Sequence, residues 1–198
     1  MTVSEPTGDV GRCGRVPLQV SECPVDTPLV ETSSRSIKRL VRALGGLGRD
    51  ARGFGRTLGS GSADVGNLMI VGTPTYEPWH FTAHLADEAT RRSRPDLSPT
   101  LLRWQIPPGA PAHLSVSVDE VARASRTSTV LVIPDLEDPE LLERIADAHR
   151  RGARVMAMER TETGLAAYSH EYLMIDGQHS DREYDMCQHI VTAVAPVG

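Results

Sequence analysis

The chain has 198 residues, 39% of them hydrophobic and 24% charged, a composition that is typical of a folded protein and excludes a wholly disordered one. No stretch of about 18 apolar residues occurs and the first residues lack a secretory-signal pattern, so we expect no membrane span and predict a cytoplasmic protein. A net charge of -5 and an aromatic content of 4% argue against nucleic acid as a partner.

Cysteine and lysine usage add two minor indications. Three cysteines, Cys13, Cys23 and Cys187, are an odd number at uninformative spacings, so we expect free thiols and no disulfide framework. Lys38 is the only lysine among 21 basic residues, which indicates a GC-rich coding sequence of actinobacterial type.

The first 62 residues are predicted to form a tail and an arm. Residues 1–33 are rich in proline and small polar residues without periodicity, and are predicted to be disordered or loosely attached. Residues 34–62 are predicted to be a basic amphipathic helical arm followed by a linker over Gly59, Ser60, Gly61 and Ser62. The apolar side chains recur at helical spacing, at Ile37, Leu40, Val41 and Leu44.

The role of this arm has two interpretations. Seven basic residues lie between positions 35 and 56 against the single acid Asp50, so the arm could engage an acidic partner. The alternative is that its apolar face docks on its own domain or on a second subunit. We predict a homo-oligomer that associates through this helix.

Residues 63–198 alternate between apolar runs and amphipathic segments. Strands are predicted over 67–71, 100–106, 129–133, 154–158 and 172–175, and helices over 78–92, 117–125, 139–152 and 181–195. This order predicts an α/β fold, a three-layer Rossmann-like domain with a five-stranded, mainly parallel sheet and right-handed crossovers.

Two of the predicted helices carry specific expectations. The helix over 78–92 is predicted to bury Trp79, Ala83, Ala86 and Ala89 and to expose Glu88. The helix over 117–125 is predicted to begin with a capping box made by Ser117 and Glu120.

Ligands of parallel α/β sheets bind at the carboxyl ends of the strands, so the loops there supply the candidate site. The predicted ligand-binding residues lie in the loops after the first, third and fourth strands and are Gly72, Thr73, Thr75, Tyr76, Asp135, Thr161 and Thr163. The acids in the third loop also fit simple helix capping. If the protein is an enzyme, the base in a proton transfer would be Glu137, Glu159 or His80, each chosen for its predicted position beside the pocket.

Neither a metal nor a cofactor is predicted. His80 and His84 have the i, i+4 spacing that a metal pair requires, but the first histidine is not followed by the glutamate that zinc peptidases use as a base. Dinucleotide-binding, P-loop, serine hydrolase and CxxC motifs are all absent from the sequence.

The order of segments resembles the SIS (sugar isomerase) phosphosugar-binding superfamily over about residues 35–195. The similar pieces are the helical arm, the strand that leads to Gly72 and Thr73, the strand TVLVI with its helix, and the segment HRRGARVMAMERTETGLAAYSHEYLMIDG. The family binds sugar phosphates through a loop of the form S-x-S-G-x-T after the third strand, whereas this chain has PDLED at 134–138. The resemblance implies binding of a sugar or sugar-phosphate-like metabolite, by a degenerate isomerase or a regulatory protein.

Two other functions remain open at this stage. A non-catalytic interaction or scaffold protein would act through the basic arm. A nucleoside deoxyribosyltransferase-like enzyme is a weaker alternative, because TVLVIPDLEDPELLERIADAHRRGARVMAM resembles the strand, acidic loop and helix of that family.

Overall fold

A computed structural model of the protein describes residues 34–61 and 67–197. The predictions made for residues 1–33, for part of the linker and for Cys13 and Cys23 lie outside the described residues. Within the described ranges, no helix is both long and apolar enough to cross a membrane.

The core of the fold is a sheet of five parallel strands in the order β2-β1-β3-β4-β5. The strands are β1 Leu68–Val71, β2 Pro99–Leu102, β3 Thr129–Val132, β4 Arg154–Glu159 and β5 Glu171–Met174. The α-helices are α1 Ser34–Ala43, α2 Gly45–Ser60, α3 Trp79–Arg91, α4 Pro139–Arg150 and α5 Asp181–Val194. The predicted fold class is therefore confirmed, and the sheet is parallel throughout.

Alternate residues of each strand enter different hydrophobic cores on the two faces of the sheet. In β3, Leu131 belongs to the core beneath α2, α3 and α5, while Val130 and Val132 belong to the core beneath α4. Period-two alternation with both sets buried is expected of a parallel sheet covered on both sides. The arrangement has three layers, with helices on either side of the sheet.

The N-terminal helices pack on the domain, where α2 lies against α5. Two of the glycines in α2 permit this close approach: a Cβ on Gly55 would lie 2.9 Å from the carbonyl oxygen of Val191, and one on Gly59 would collide with that of Ala195. Gly48 similarly faces the backbone of α1 at Val41. Glycine weakens an isolated helix, so this packing supplies the support that α2 requires.

Arginines from the domain also hold the carboxyl end of α2. Arg94 and Arg154 each donate a hydrogen bond of 2.9 Å, to the carbonyl oxygens of Gly59 and Thr57. Positive side chains at this end of a helix satisfy its free carbonyl groups and complement its dipole. The helix therefore continues through Gly59 and Ser60, and the predicted linker was wrong at these two positions.

The second strand is shorter than predicted and ends at Leu102. After it the chain makes a single bridge from Arg103 to Ser117, and the indole of Trp104 donates a 2.9 Å hydrogen bond to the carbonyl oxygen of Gly72. This bond carries Trp104 toward the loop after β1, and the pairing does not continue to residue 106.

The buried face of α3 differs from the predicted one. Phe81, Leu85 and Ala89 share one side and are buried, whereas Trp79 is 38% exposed. The large aliphatic and aromatic residues determine which side faces the sheet, because they remove the most apolar area from water. Glu88 is only 4% exposed and accepts a 2.6 Å hydrogen bond from Arg91, so its predicted exposure was wrong.

The segment after Ser117 is a 3₁₀ helix, Val118–Arg123, and not an α-helix. Ser117 does cap it, accepting a hydrogen bond from the backbone N–H of Asp119. Glu120 pairs with Arg123 at 2.7 Å, so the predicted capping box is absent at this helix. A complete box occurs instead at α5, between Ser180 and Glu183.

Candidate functional site

A cleft of about 320 Å³ lies at the carboxyl edge of the sheet. The chain passes from β1 to β2 on one side of this point and returns to β3 on the other, and such a switch point is where ligands of open parallel sheets bind. The walls come from the loops after β1, β3 and β4, the first turn of α3 and the first half of α5. The lining residues are Tyr76, His80, Pro134, Arg160, Asp181, Tyr184, Asp185 and Gln188.

Helix α5 provides half of these side chains from one polar face. Asp181, Tyr184, Asp185 and Gln188 are separated by three, four and seven positions, which places them on the same side of an α-helix. The opposite side of α5 packs on α2 and on the sheet. The helix is therefore held on one side by the core and presents functional groups on the other.

Gln188 is the most informative residue of the cleft. The residue is only 4% exposed, and its Oε1 atom has no hydrogen-bond partner within residues 34–61 and 67–197. A buried amide oxygen without a partner destabilises the fold by roughly 1–3 kcal/mol. Gln188 also lines the cleft, so turning this amide toward a ligand would supply the missing donor.

Two tyrosine hydroxyls lie beside this amide. Burial raises the pKa of Tyr76 and, to a larger extent, the pKa of Tyr184, and the Gln188 amide partly opposes both shifts. Both phenols are therefore protonated at neutral pH. Each can donate one hydrogen bond and accept others.

The charges in the cleft are mainly acidic. Arg160 is paired with Asp181 and its guanidinium lies 5.1 Å from the centre of the Tyr184 ring. Asp185 adds a second carboxylate, and among the described lining residues Arg160 is the single arginine or lysine. The cleft therefore has two carboxylates against one arginine that is already neutralised.

The structure brings three of the predicted ligand-binding residues together beside the cleft. Thr73 is fully buried and donates a hydrogen bond to the carboxylate of Asp135. Thr75 donates to the other oxygen of that carboxylate at 3.2 Å, and the two threonine hydroxyls are also 3.2 Å apart. These hydroxyls link the loops after β1 and β3, and they are engaged with Asp135.

Gly72 has a structural reason to be glycine. A Cβ at this position would collide with the carbonyl oxygen of Tyr76, because the loop turns back tightly after β1. This turn places the Tyr76 side chain in the cleft. Gly72 therefore positions a lining residue.

A second polar cluster is buried away from the cleft lining. Glu159 is fully buried at the end of β4, where it accepts hydrogen bonds from the hydroxyls of Thr163 and Tyr172, the latter at 2.7 Å. Burial, and then the hydrogen bond to Glu159, raise the pKa of Tyr172. This cluster joins β4 to β5 and to the loop after β4, and it does not form part of the cleft wall.

The remaining candidates are distributed between the cleft and the surface. Tyr76 and His80 line the cleft, while Glu137 and Thr161 are exposed and do not contribute to its wall. His80 is thus the one candidate base, of the three named from the sequence, that faces the cleft.

Sequence reasoning missed the residues that α5 and the loop after β4 contribute. The signal for Asp181, Tyr184, Asp185 and Gln188 was present as a polar stripe at helical spacing. The signal for Arg160 was its position directly after β4, in a loop that had already been selected. Because only the strand-end loops were considered as sources of site residues, the polar face of α5 was not included in the prediction.

Comparisons with known proteins indicate distant likenesses in fold. No family model and no curated protein matches the chain. Among solved structures, it is similar to a protein from Salmonella typhimurium LT2 provisionally named as sugar-binding, with 12% identity and a TM-score of 0.46. It is also similar to the Vibrio vulnificus NanR protein in complex with ManNAc-6P, with 11% identity and a TM-score of 0.48.

These alignments cover 82% of the present chain but only 45% and 60% of the two other proteins. The chain therefore spans about half the length of the structures it matches. At this similarity the likeness concerns the fold alone.

Proposed function

We propose that the cleft binds a small, neutral, polyhydroxylated molecule such as a sugar. The free Oε1 atom of Gln188 carries this proposal, because a ligand hydroxyl would give this buried acceptor the donor it lacks. The carboxylates of Asp181 and Asp185 are further acceptors for hydroxyl groups, and the phenols of Tyr76 and Tyr184 can both donate and accept.

The charge of the cleft favours a neutral ligand over a phosphorylated one. A phosphate requires free cations or unoccupied backbone N–H groups, whereas Arg160 is paired with Asp181 and Asp185 adds a negative charge. The loop that binds phosphate in SIS proteins is replaced here by residues 134–138, whose Asp135 carboxylate accepts from Thr73 and Thr75.

The volume is consistent with a ligand of modest size. Small-molecule sites commonly measure about 300–1,000 Å³, and the cleft lies at the lower limit of this range with about 320 Å³. A monosaccharide or a comparable polyol fits such a volume better than a dinucleotide does.

Binding, and not catalysis, is the function that the cleft supports best. Of the bases considered, Glu159 is occupied by Thr163 and Tyr172 and Glu137 lies outside the cleft wall. His80 lines the cleft and is the residue that would act if the bound molecule undergoes proton transfer.

The experiment is a calorimetric titration with neutral sugars, their phosphates and nucleosides, carried out on the wild type and on Gln188→Leu. We expect a neutral sugar to bind, and Gln188→Leu to bind it roughly tenfold more weakly, since a lost hydrogen bond is equivalent to about 1.4 kcal/mol. Gln105→Leu is the matched control, because Gln105 is exposed outside the cleft.

Three results would contradict the proposal. A phosphate that binds while neutral sugars do not would show that the charge argument is wrong. Equal affinity in Gln188→Leu and wild type would show that the ligand binds elsewhere. Preferential binding of a nucleoside would instead favour the deoxyribosyltransferase-like alternative.

A second candidate function is association through the basic arm. In α1 the side chains of Arg35, Lys38, Arg39 and Arg42 are exposed, and no salt bridge within the described residues involves them. The remainder of the domain is acidic, so a second copy of the chain offers a surface of complementary charge. The partner in this case is another molecule of the same protein.

A further inference from the structure

Three histidines from two helices meet at one edge of the cleft. His80 and His84 lie one turn apart on α3, and His189 lies on α5. The ring centres are 4.5 Å apart for His80 and His84, 4.6 Å for His84 and His189, and 5.4 Å for His80 and His189. One ring nitrogen from each can be chosen so that all three lie within 4.8 Å of one another.

The three rings have no other polar partner in the described part of the chain. No hydrogen bond or salt bridge involves any of the three side chains there, and they contact one another edge to face. His84 and His189 are half-buried and His80 is exposed. Because no hydrogen-bond partner in the described residues occupies them, the ring nitrogens of these three converging imidazoles are free to act as metal ligands.

The spacing is close to that of a tetrahedral site. With metal–nitrogen distances of about 2.0–2.1 Å, ligand atoms around a tetrahedral ion are roughly 3.3 Å apart. The nitrogens need only rotate inward from separations of at most 4.8 Å. The packed pair of α3 and α5 supplies a fixed backbone for this movement.

We propose that His80, His84 and His189 bind a divalent transition metal ion, with Zn²⁺ as the representative case. Three imidazole ligands leave a fourth position for water or for an atom of a molecule in the cleft, as in sites of the catalytic type. His80 also lines the cleft, and Gln188 precedes His189, so the ion would lie at the cleft edge. This inference does not depend on sugar binding.

The test is a competition titration of the full-length chain with Zn²⁺ against a chromogenic chelator. The chain carries Cys13→Ser and Cys23→Ser throughout, because thiolates also bind zinc. We expect one bound equivalent, and an affinity that falls roughly tenfold or more in His189→Gln and in His84→Gln. His113→Gln should match the parent protein, because His113 is an exposed histidine outside the cluster.

A second measurement separates loss of the site from loss of the fold. Bound Co²⁺ should give the intense visible absorption of a four-coordinate ion in the parent protein, and this absorption should be absent in His189→Gln variants with an unchanged circular dichroism spectrum. Failure of the parent protein to bind Zn²⁺ would overturn the proposal. Equal Zn²⁺ affinity in parent, His84→Gln and His189→Gln would overturn it as well.

Discussion

Ser180 and Glu183 hold the first turn of α5, the helix that supplies half of the cleft. The backbone N–H of Ser180 donates to the Glu183 carboxylate at 2.8 Å, and the Ser180 hydroxyl accepts from the backbone N–H of Glu183 at 3.3 Å. The backbone N–H of Ser180, and then its hydroxyl, which also donates to the Glu183 carboxylate at 2.9 Å, lower the pKa of Glu183. Ionisation of the Glu183 carboxylate is thereby coupled to the first turn of α5, which carries the cleft residues Asp181 and Tyr184.

The coupling predicts a pH dependence for Glu183→Gln. Because the folded-state pKa of Glu183 lies below its unfolded value, the unfolded chain binds more protons between these two values and stability rises with pH there. The wild type should therefore be more stable than Glu183→Gln at pH 7, and the difference should shrink as pH falls from about 4.5 through the lower folded-state pKa.

Urea unfolding at several pH values measures this difference. Glu143→Gln provides the control, since Glu143 is also an exposed helical glutamate but lies in the middle of α4. If the two variants follow the same curve across the pH range, the capping box does not have the stabilising role assigned to it.

At the level of single residues, the sequence predicted the positions of the strand-end loops better than the contacts that their side chains make. Gly72, Thr73, Thr75 and Asp135 lie where the strand-end rule places them. Their hydroxyl and carboxylate groups bind one another, however, and this pairing depends on the distance between two loops that are far apart in sequence. The same limitation hid the histidine site, because His189 joins His80 and His84 only in three dimensions.

At the level of elements, the glycines of α2 show that helix propensity and helix packing have opposite effects. Gly59 lies against the backbone of Ala195, while Gly53 has no atom within 4 Å of the position where a Cβ would be. Both belong to the same helix, Gly53 in its middle and Gly59 in its last turn. They form a matched pair for separating propensity from packing.

Alanine at these two positions should change stability in opposite directions. Gly59→Ala should destabilise the protein by about 1–3 kcal/mol, because the new methyl group forces α2 away from α5. Gly53→Ala should stabilise it by up to about 1 kcal/mol through helix propensity alone. The free energy of unfolding in urea measures both. If Gly59→Ala were neutral or stabilising, the close contact between the helices would not be needed for stability, and the packing argument would be wrong.

Element types were predictable wherever the pattern was strong. The unit of β3 and α4 matches the prediction closely, with Asp138 capping the helix, Pro139 in its first turn and Gly152 in a left-handed conformation after it. Helix α3 was oriented incorrectly because alanines were counted equally with Phe81 and Leu85. The end of β2 depended on the bond from Trp104 to Gly72, which is not encoded locally.

At the level of the whole molecule, the exposed basic surface of α1 predicts a salt-sensitive association. The triple variant Arg35→Glu, Lys38→Glu and Arg39→Glu should reduce the oligomeric mass at low ionic strength, because reversed charges would repel the acidic domain of a second copy. Light scattering coupled to size-exclusion chromatography measures the mass.

The control replaces exposed arginines elsewhere, at Arg126 and Arg182, with glutamate. It should leave the mass unchanged. A wild type that is monomeric at low salt would contradict self-association. Deletion of the whole arm is a poorer experiment, because it removes Phe54 and Leu58 from the core together with the basic surface.

The overall architecture followed from the alternation of strands and helices, since parallel strands joined by crossovers permit few arrangements. What the alternation did not specify was the strand order, in which the first strand lies between the second and the third. That order creates the switch point where the cleft lies. The site was therefore predictable as a region, and its chemistry required the packing of α5.

The contact between Gly59 and Ala195 joins segments from nearly opposite ends of the described chain. Closing such a long loop carries an entropic cost before the contact contributes any stabilisation. Contacts of large sequence separation also slow folding. The pairing of α2 with α5 is therefore expected to form late on the folding pathway, after the sheet. Until it forms, one apolar face of the sheet stays open to other chains, which makes aggregation during refolding concentration-dependent.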